Sequence, residues 1–264
     1  MKTCVIIYHK TINKIYRTEW IEECINSILN QTYQDFYIYE LNYGGDKINF
    51  SIYFDKYQDR YRLFNEKMPN HGYAMNFLLD KCKEDNFDVV FNVNLDDYYH
   101  KDRFEKQIEK IKEGFDVVSS NIQYIRDGKF EDIFDFSKYN KNISKRLEIE
   151  NIIAHPTICY SKKFIQNIRY NPEEIPLEDY NLWKRLSLDN YKFFIINSTL
   201  CYYRIHNKQV SYVETNEEKK SNNTVKREEV HHKILMCMCG GLVKDIVSPN
   251  GTKYKICESC KRIF

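Results

Sequence analysis

The sequence lacks a strong charge of either sign and lacks any long apolar run. Its 40 lysine and arginine residues nearly balance its 38 aspartate and glutamate residues, which leaves a formal net charge of +2. This balance gives no bulk electrostatic reason to expect a polyanionic partner. The apolar run at Met1–His9 is too short for a signal peptide, and no other run could span a membrane. We therefore expect no transmembrane anchor.

The sequence also lacks the dense cysteine pattern of a small secreted protein. Five of its nine cysteines are isolated in apolar segments, and they are Cys4, Cys24, Cys82, Cys159 and Cys201. Isolated cysteines of this kind usually behave as reduced, buried apolar residues. We therefore expect a reducing compartment, most simply the cytoplasm. The length of 264 residues allows one sizeable α/β domain and a small appendage.

A nearly continuous apolar segment, residues 87–93, ends in two adjacent carboxylates. Its β-branched and aromatic residues predict a strand that is covered on both faces. Asp96 and Asp97 follow at the carboxyl end of this strand, where open α/β sheets bind their ligands. Adjacent carboxylates repel each other unless a cation lies beside them, and a hard divalent ion is the usual solution. The alternative is a plain Asp-Asp turn before a helix that begins near Asp102.

Strands and helices alternate through the first half of the chain. This alternation predicts a mostly parallel central sheet, flanked by helices and joined by right-handed crossovers. The predicted strands are residues 2–8, 35–41, 61–64, 87–93 and 115–119, and the helices begin at Thr18 (as N-cap), Gly72 and Asp102. In the second half we expect an irregular segment 121–151, strands at 154–160, 191–196 and 200–205, and a helix at 176–186 that buries Leu182, Trp183 and Leu186.

The C-terminal tail carries two cysteine pairs. Cys237 and Cys239 are followed, after a short β-rich stretch, by Cys257 and Cys260. This layout is typical of a zinc ribbon, in which four thiolates hold a structural Zn²⁺ and the metal supplies the folding energy. A pair of disulfides is the alternative, and the isolated reduced cysteines argue against it. We expect a zinc-ribbon-like domain at 234–264, separated from the first domain by a polar linker or solvated helix at 213–233.

Five short motifs in the first 212 residues resemble those of glycosyltransferase family 2 in their order. They are Trp-Ile-Glu-Glu-Cys-Ile-Asn-Ser-Ile-Leu-Asn-Gln-Thr-Tyr at 20–33, Asn-His-Gly-Tyr-Ala-Met-Asn at 70–76, Asn-Leu-Asp-Asp at 94–97, Leu-Glu-Asp-Tyr-Asn-Leu-Trp at 177–183, and Tyr-Arg-Ile-His-Asn at 203–207 with Ser211. The resemblance implies that residues 1–212 form a GT-A domain, a Rossmann-like fold that binds nucleotide sugars.

The same resemblance implies a metal-dependent, inverting transfer of a sugar from a nucleotide-sugar donor to an acceptor hydroxyl. A UDP-sugar is the default donor, and the acceptor, a glycan, protein or lipid, is left open. Asp96 would bind Mn²⁺ or Mg²⁺ directly, and His206 would close the metal site. Asp179 would be the general base. The alternatives are an Asp179 that only stabilises a helix N-terminus and a His206 that only ends a strand.

The resemblance further implies a set of nucleotide-sugar-binding residues: Asn42, Asn70, Gly72, Asn76, Asn94, Asp97 and Glu178. Asn70, Gly72 and Asn76 could instead build a turn and the start of a helix. The chain departs from the family pattern at the end of its first strand, which reads Tyr8-His9-Lys10, and at three further positions. Asn42 and Asn94 stand where aspartates are usual, and Met75 stands where many relatives carry arginine. Asn42 can still bond a base edge through its amide.

Two other functions compete with catalysis. The Asn42 and Asn94 departures favour a non-catalytic GT-A module that binds a nucleotide sugar or glycan. Alternatively, the tail could bind nucleic acid or a protein, since it carries the basic residues Lys244, Lys253, Lys255, Lys261 and Arg262. These lie among turns without an aromatic platform, so nucleic acid is disfavoured and a docking or structural role is expected for the ribbon.

Overall fold

The computed structural model describes residues 1–45 and 50–209, together with the backbone of residues 243–247 and 253–257. In the first two ranges the strands are β1 (Thr3–His9), β2 (Phe36–Asn42), β3 (Tyr61–Asn65), β4 (Val89–Val93), β5 (Tyr98–Tyr99), β6 (Val117–Arg126), β7 (Lys129–Phe134), β8 (Cys159–Ser161) and β9 (Phe193–Ile205). The helices are α1 (Ile12–Ile15), α2 (Thr18–Leu29), α3 (His71–Glu84), α4 (Arg103–Lys112), α5 (Ile143–Leu147), α6 (Lys162–Asn167) and α7 (Glu178–Leu188).

These strands form one nine-stranded sheet in the order β3-β2-β1-β4-β8-β6-β9-β5, with β7 paired to β6. β1 is parallel to β2 and β4, β2 is parallel to β3, and β6 is parallel to β9. β8 is antiparallel to both β4 and β6, and the pairs β5–β9 and β6–β7 are also antiparallel. The sheet is therefore mixed, and the expectation of a mostly parallel sheet is wrong for the second half.

The antiparallel pairing of β6 with β7 has a local cause at the end of β6. Asp127 and Gly128 both adopt positive φ, 49° and 75°, as a two-residue hairpin turn requires. β6 therefore turns straight back into β7 instead of entering a crossover helix. Segment 121–151, expected to be irregular, contains the rest of β6, all of β7 and α5.

Three further expectations are corrected in detail. The two strands expected at 191–196 and 200–205 are one strand, because β9 pairs with β6 along its length and its register jumps from Ile196 to Thr199. That jump leaves two polar residues outside the ladder as a bulge. Segment 154–160 is mostly a 3₁₀ turn at His155–Thr157, and strand structure begins at Cys159. Helix α2 begins at Thr18, with Arg17 rather than Thr18 in the N-cap position.

Apolar side chains fill both faces of the sheet. On one face α2 and α4 pack against the strands through residues such as Ile25 and Phe104. On the other face α3, α6 and α7 pack through residues such as Leu78, Phe164 and Trp183. All five residues of β4 are buried, which confirms a strand covered on both faces. The predicted burial of Leu182, Trp183 and Leu186 and of the five isolated, unbridged cysteines is confirmed as well.

The tail is described only in part. β10 (Val243–Val247) and β11 (Lys253–Cys257) form an antiparallel pair in which Val243 lies opposite Cys257. Cys237, Cys239, Cys260 and the linker 213–233 lie outside the described residues, and only the backbone of Cys257 is described. The boundaries 1–212 and 234–264 thus stay predictions. Within the described ranges, no helix is long and apolar enough to cross a membrane.

Gln107 on α4 connects three parts of the fold. Its side-chain nitrogen donates to the backbone oxygens of Val118 in β6 (2.8 Å) and Thr157 in the 3₁₀ turn (2.6 Å). Its side-chain oxygen accepts from Nε of the buried Arg103 at 3.0 Å. The side chain of Gln107 is fully buried, so water cannot replace these partners.

We expect Gln107→Leu to lower the free energy of unfolding by about 2 kcal/mol or more, because it leaves buried polar groups without partners. Urea denaturation measures this loss. Glu109→Leu places the same new side chain on the exposed face of α4, and it should change stability by no more than about 0.5 kcal/mol. Equal effects of the two substitutions would contradict the assigned role of Gln107.

Candidate active site

A cavity of about 310 Å³ opens at the carboxyl ends of the parallel strands. We call it the catalytic cleft, and it is lined by Tyr8, Tyr16, Tyr43, His71, Asn94, Asp96, Ile122, Tyr124, Phe136, Asn151, Ile153, Ala154, His155, Pro156, Pro176, Glu178, Asp179, Tyr203 and Gln209. Four predicted site residues, Asn94, Asp96, Glu178 and Asp179, are therefore in the cleft. A fifth, His206, lines an adjoining cavity that shares Tyr16 and Gln209 with the cleft.

The loop after β4 and the end of β9 bring Asp96 and His206 together. His206 Nε2 lies 3.1 Å from Asp96 Oδ2, and the His206 ring packs on Trp20 with the ring centroids 4.9 Å apart. The guanidinium of Arg204 donates to the backbone oxygen of Asp96 at 2.7 Å. Both side chains of the pair are largely buried, with exposed fractions of 15% for Asp96 and 9% for His206.

This pair fits a divalent ion that binds together with substrate. A carboxylate oxygen and an imidazole nitrogen are ligands that Mn²⁺ accepts. In the part of the chain that the structure describes, no group of three His, Cys, Asp or Glu side chains is placed to hold an ion. Mg²⁺-type sites commonly use one or two protein carboxylates, with substrate phosphates and water in the other positions. A two-residue site is therefore consistent with an ion that needs the donor diphosphate.

Asp97 is placed differently from Asp96. Its side chain is almost completely buried, its Oδ1 accepts from the backbone N–H of Arg204 at 2.9 Å, and it does not line the catalytic cleft. Burial and the neighbouring charge of Asp96 raise the pKa of Asp97 well above its usual range. Asp97 therefore joins the loop after β4 to β9.

Two adjacent carboxylates at the N-terminus of α7 have opposite pKa shifts. Burial and the charge of Glu178 raise the pKa of Asp179 to about 7, although Asp179 accepts from the backbone N–H of Tyr180 at 2.6 Å and from Asn151 at 3.4 Å. Burial also acts to raise the pKa of Glu178, but the contact with His71, with smaller contributions from His155 and a backbone hydrogen bond, outweighs it and lowers that pKa below its usual value. Neighbouring groups with separated pKa values are typical of acid–base sites.

Asn70, Gly72 and Asn76 build and anchor α3 and do not line the cleft. Asn70 Oδ1 caps the helix by accepting from the N–H groups of Gly72 (3.0 Å) and Tyr73 (3.3 Å). A Cβ on Gly72 would lie 3.0 Å from Pro172 Cα, so the close approach there requires glycine. Asn76 bonds both backbone groups of Tyr170, at 2.8 and 2.9 Å. These contacts support the alternative in which the three residues start a helix.

The two asparagines that replace family aspartates differ in position. Asn42, at the end of β2, is buried and donates to Asn65 Oδ1 at 3.3 Å, and it does not line the cleft. The next residue, Tyr43, does line it. Asn94 faces the cleft, where its side-chain oxygen accepts from the Tyr8 hydroxyl at 3.5 Å.

Several cleft residues were not found from the sequence. His71 lies inside a recognised motif, yet its contact with Glu178 joins positions 107 apart in the chain. His155 bonds the Tyr170 hydroxyl at 3.0 Å, and burial lowers its pKa to about 4, so it is neutral near pH 7. Five tyrosines also line the cleft, namely Tyr8, Tyr16, Tyr43, Tyr124 and Tyr203. With 22 tyrosines in the chain, no spacing singled out the first four, whereas Tyr203 lies in the motif at 203–207 but was not named as a site residue.

A sequence profile described as "Glycosyl transferase family 2" matches residues 4–168, more than half of the chain. The chain belongs to this family. It is therefore a glycosyltransferase. The O-antigen biosynthesis glycosyltransferase WbnJ of Escherichia coli is 29% identical over 197 residues, covering 72% of this chain and 76% of WbnJ. An uncharacterized glycosyltransferase of Methanocaldococcus jannaschii is 28% identical over 198 residues, covering 72% of this chain and 67% of that protein.

Solved structures show the same fold at low identity. TarS 1-349 of S. aureus in complex with UDP-GlcNAc has a TM-score of 0.61 at 16% identity, covering 88% of this chain and 69% of that chain. The mannosyltransferase PcManGT of Pyrobaculum calidifontis, in complex with GDP-Man and Mn²⁺, has a TM-score of 0.58 at 11% identity, covering 85% and 65%. In the UDP complex of TarS 1-349, the part that matches this chain makes up 61% of the TarS chain. These likenesses confirm a GT-A-like α/β fold.

We expect Asn76→Ala to lower the free energy of unfolding by about 2 kcal/mol or more, because both backbone groups of Tyr170 lose their partner. Thermal or urea unfolding measures the change. Asn167→Ala removes an exposed amide whose bond stays within its own helix, and it should cost no more than about 0.5 kcal/mol. If Asn76→Ala instead weakened donor binding at unchanged stability, the anchoring role would be wrong.

Proposed function

We propose that this enzyme transfers a sugar from a nucleotide-sugar donor to an acceptor hydroxyl with inversion, with Asp179 as general base. One observation carries the proposal. A single cleft holds Asp96, which is paired with His206, and a carboxylate, Asp179, whose pKa is raised to about 7. Asp96 and His206 suit a divalent ion and a diphosphate, and Asp179 suits proton removal near neutral pH.

In the proposed reaction the acceptor oxygen attacks the anomeric carbon while Asp179 takes its proton. The new bond forms between these two atoms as the bond from the anomeric carbon to the diphosphate oxygen breaks, and the nucleotide leaves with the electron pair. One displacement on the opposite face inverts the configuration. An aspartate with a pKa of about 7 accepts a proton more strongly than an ordinary aspartate, and about half of it is ionised at neutral pH.

Asp96 and His206 would hold Mn²⁺ or Mg²⁺, which when bound neutralises charge on the diphosphate. Arg204 fixes the backbone of Asp96, so the carboxylate is oriented before substrate arrives. We propose a UDP-sugar as donor, in line with the UDP and UDP-GlcNAc complexes of TarS, while PcManGT holds GDP-Man. Asn94 and Glu178 face the cleft and would contact the donor. The donor contacts of Asn42, Asn70, Gly72, Asn76 and Asp97 stay predictions.

Asp96→Ala should abolish metal-dependent release of free nucleotide from a panel of nucleotide sugars with Mn²⁺. It should also weaken Mn²⁺ binding in the presence of nucleotide, which electron paramagnetic resonance measures without turnover. Asp132→Ala, which removes an exposed carboxylate on β7, is the matched control and should leave both signals unchanged. Full metal-dependent release by Asp96→Ala would refute the proposed metal ligand. Donor binding without any release or transfer would instead favour the non-catalytic module.

We expect kcat/KM to fall about tenfold per pH unit below pH 7, because Asp179 must be deprotonated to act and its pKa is raised to about 7. Asp179→Asn should lower kcat by about 10²- to 10⁴-fold, the usual contribution of a general base. Initial rates between pH 5 and 9 test both expectations. A profile without an acid limb, or full activity of Asp179→Asn, would exclude Asp179 as the base.

We also propose that Cys237, Cys239, Cys257 and Cys260 hold a structural Zn²⁺ in a ribbon that serves as a docking or structural element. The antiparallel pairing of β10 and β11 between the two cysteine pairs supports this layout. Purified chain should contain one zinc, and Cys260→Ser should lose it, whereas Cys201→Ala, in the core, should keep it. Deleting residues after His232 without loss of activity or assembly would contradict the role of the tail.

A further inference from the structure

His71 is held rigidly at the start of α3. The residue before it, Asn70, caps the helix and donates to the backbone oxygen of Pro172 at 3.2 Å. The residue after it, Gly72, packs against Pro172 so closely that an added Cβ would lie 3.0 Å from Pro172 Cα. With both neighbours fixed, the His71 ring reaches Glu178 on α7, and His71 Nε2 lies 2.7 Å from Glu178 Oε1. The contact joins two helices at the catalytic cleft.

Glu178 depends on this contact for its charge. Glu178 is only 6% exposed. The carboxylate oxygen that does not contact His71, Oε2, is buried without a hydrogen-bond partner in the described part of the chain. A buried carboxylate in this situation stays ionised only if a hydrogen-bond donor or cation stabilises it. His71 is the side chain that contacts Glu178 directly, and Asp179 follows in the sequence.

We propose that His71 is a positioning residue: by holding Glu178 as a carboxylate beside Asp179, it makes Asp179 a stronger proton acceptor than an isolated aspartate. The inference rests on the proposed function, in which Asp179 is the base. Glu178 and Asp179 are adjacent like charges, so an ionised Glu178 opposes ionisation of Asp179. The pKa values fit this order, since the contact with His71 is the largest influence that lowers the pKa of Glu178, and burial together with Glu178 raises the pKa of Asp179.

Among the described residues, one histidine and three tyrosines also face the two carboxylates, and all four are neutral near pH 7. His155 faces Glu178 from the 3₁₀ turn, and its lowered pKa of about 4 keeps it uncharged. Tyr8 in β1 faces Glu178, and Tyr160 and Tyr170 face Asp179, all with pKa values that burial raises above the usual range. Asn151, which also contacts Asp179, does not titrate. His71 is thus the group whose removal should change the charge of Glu178.

Without His71, the proton that the two carboxylates compete for should move to Glu178. Glu178 would lose its direct partner, whereas Asp179 keeps its bonds from Tyr180 and Asn151. A neutral Glu178 no longer opposes ionisation of Asp179, so Asp179 becomes more acidic and a weaker base. The acid limb of the activity profile should then shift to lower pH, with a lower maximum rate.

The test is the acid limb of kcat/KM in four proteins: the wild type, His71→Phe, Glu178→Gln and the double variant. We expect His71→Phe and Glu178→Gln each to move the limb down by about one pH unit or more, the usual effect of removing a like charge at close range. The double variant should show no further shift. A limb that moves in Glu178→Gln but not in His71→Phe, or that moves up in His71→Phe, would overturn the proposal.

His71→Gln serves as the conservative variant. It keeps an N–H donor of similar reach and can restore part of the contact with Glu178, so its acid limb should lie between those of the wild type and His71→Phe. If His71→Phe does not fold, His71→Gln is the test of the proposal. An acid limb of kcat/KM at the wild-type position in His71→Gln would contradict the proposal. A merely structural role of His71 would lower activity at every pH without moving the limb.

A titration without turnover separates this inference from the proposed function. The side-chain carboxyl ¹³C signal of Asp179, assigned by its absence in Asp179→Asn, reports the ionisation of this group directly. We expect its midpoint near pH 7 in the wild type and a lower midpoint in His71→Phe and His71→Gln. A midpoint that does not respond to His71 refutes the inference even if Asp179 is the base. If the midpoint shifts on substitution of His71 but Asp179→Asn remains active, the coupling between His71 and Asp179 is supported and Asp179 is not the general base.

Discussion

The guanidinium of Arg204 is the contact on which the proposed metal-binding half of the site depends. It bonds the backbone oxygen of Asp96 at 2.7 Å and the carboxylate of Glu23, and it lies between the rings of Trp20 and Tyr98, with centroid distances of 5.6 and 5.0 Å. Burial lowers its pKa to about 10, which still leaves it charged at neutral pH. One side chain therefore joins β9, α2, β5 and the loop after β4.

This arrangement gives the two adjacent aspartates different surroundings. Asp97 is buried and receives the backbone N–H of Arg204. Asp96 is left as the carboxylate that faces the cleft, beside His206. Two adjacent aspartates that look alike in the sequence thus differ in exposure, in partners and in chemistry.

The site combines residues at the ends of sheet strands with a residue on a helix that packs against the sheet. The parallel strands β1, β2 and β4 end at one edge and place Tyr8, Tyr43 and Asn94 there. The base candidate Asp179 comes from α7, which packs on one face of the sheet through Trp183 and Leu182. β8, antiparallel to both of its neighbours, joins the two halves and fills the position between β4 and β6.

Local sequence patterns determined much of this molecule, because hydrophobic period, short-range turn chemistry and motif order are properties of neighbouring residues. The first four major strands, helices α2, α3 and α7, the burial of Trp183, and the grouping of Asp96 with Asp179 in one cleft could all be predicted. The Asp127-Gly128 turn was also readable as a hairpin signal, although it was missed, and the antiparallel pairing of β6 with β7 follows from it.

Only the tertiary structure decided how distant polar groups pair. His71 meets Glu178 across 107 positions, and Arg204 meets Asp96 across 108. Such pairs leave no periodic trace, because each partner sits in its own element and the contact exists only after helices and strands have packed. The pKa values depend on the same packing, since burial and nearby charge set them. The sequence therefore predicted which residue types form the site, and packing decided which of them carry a charge.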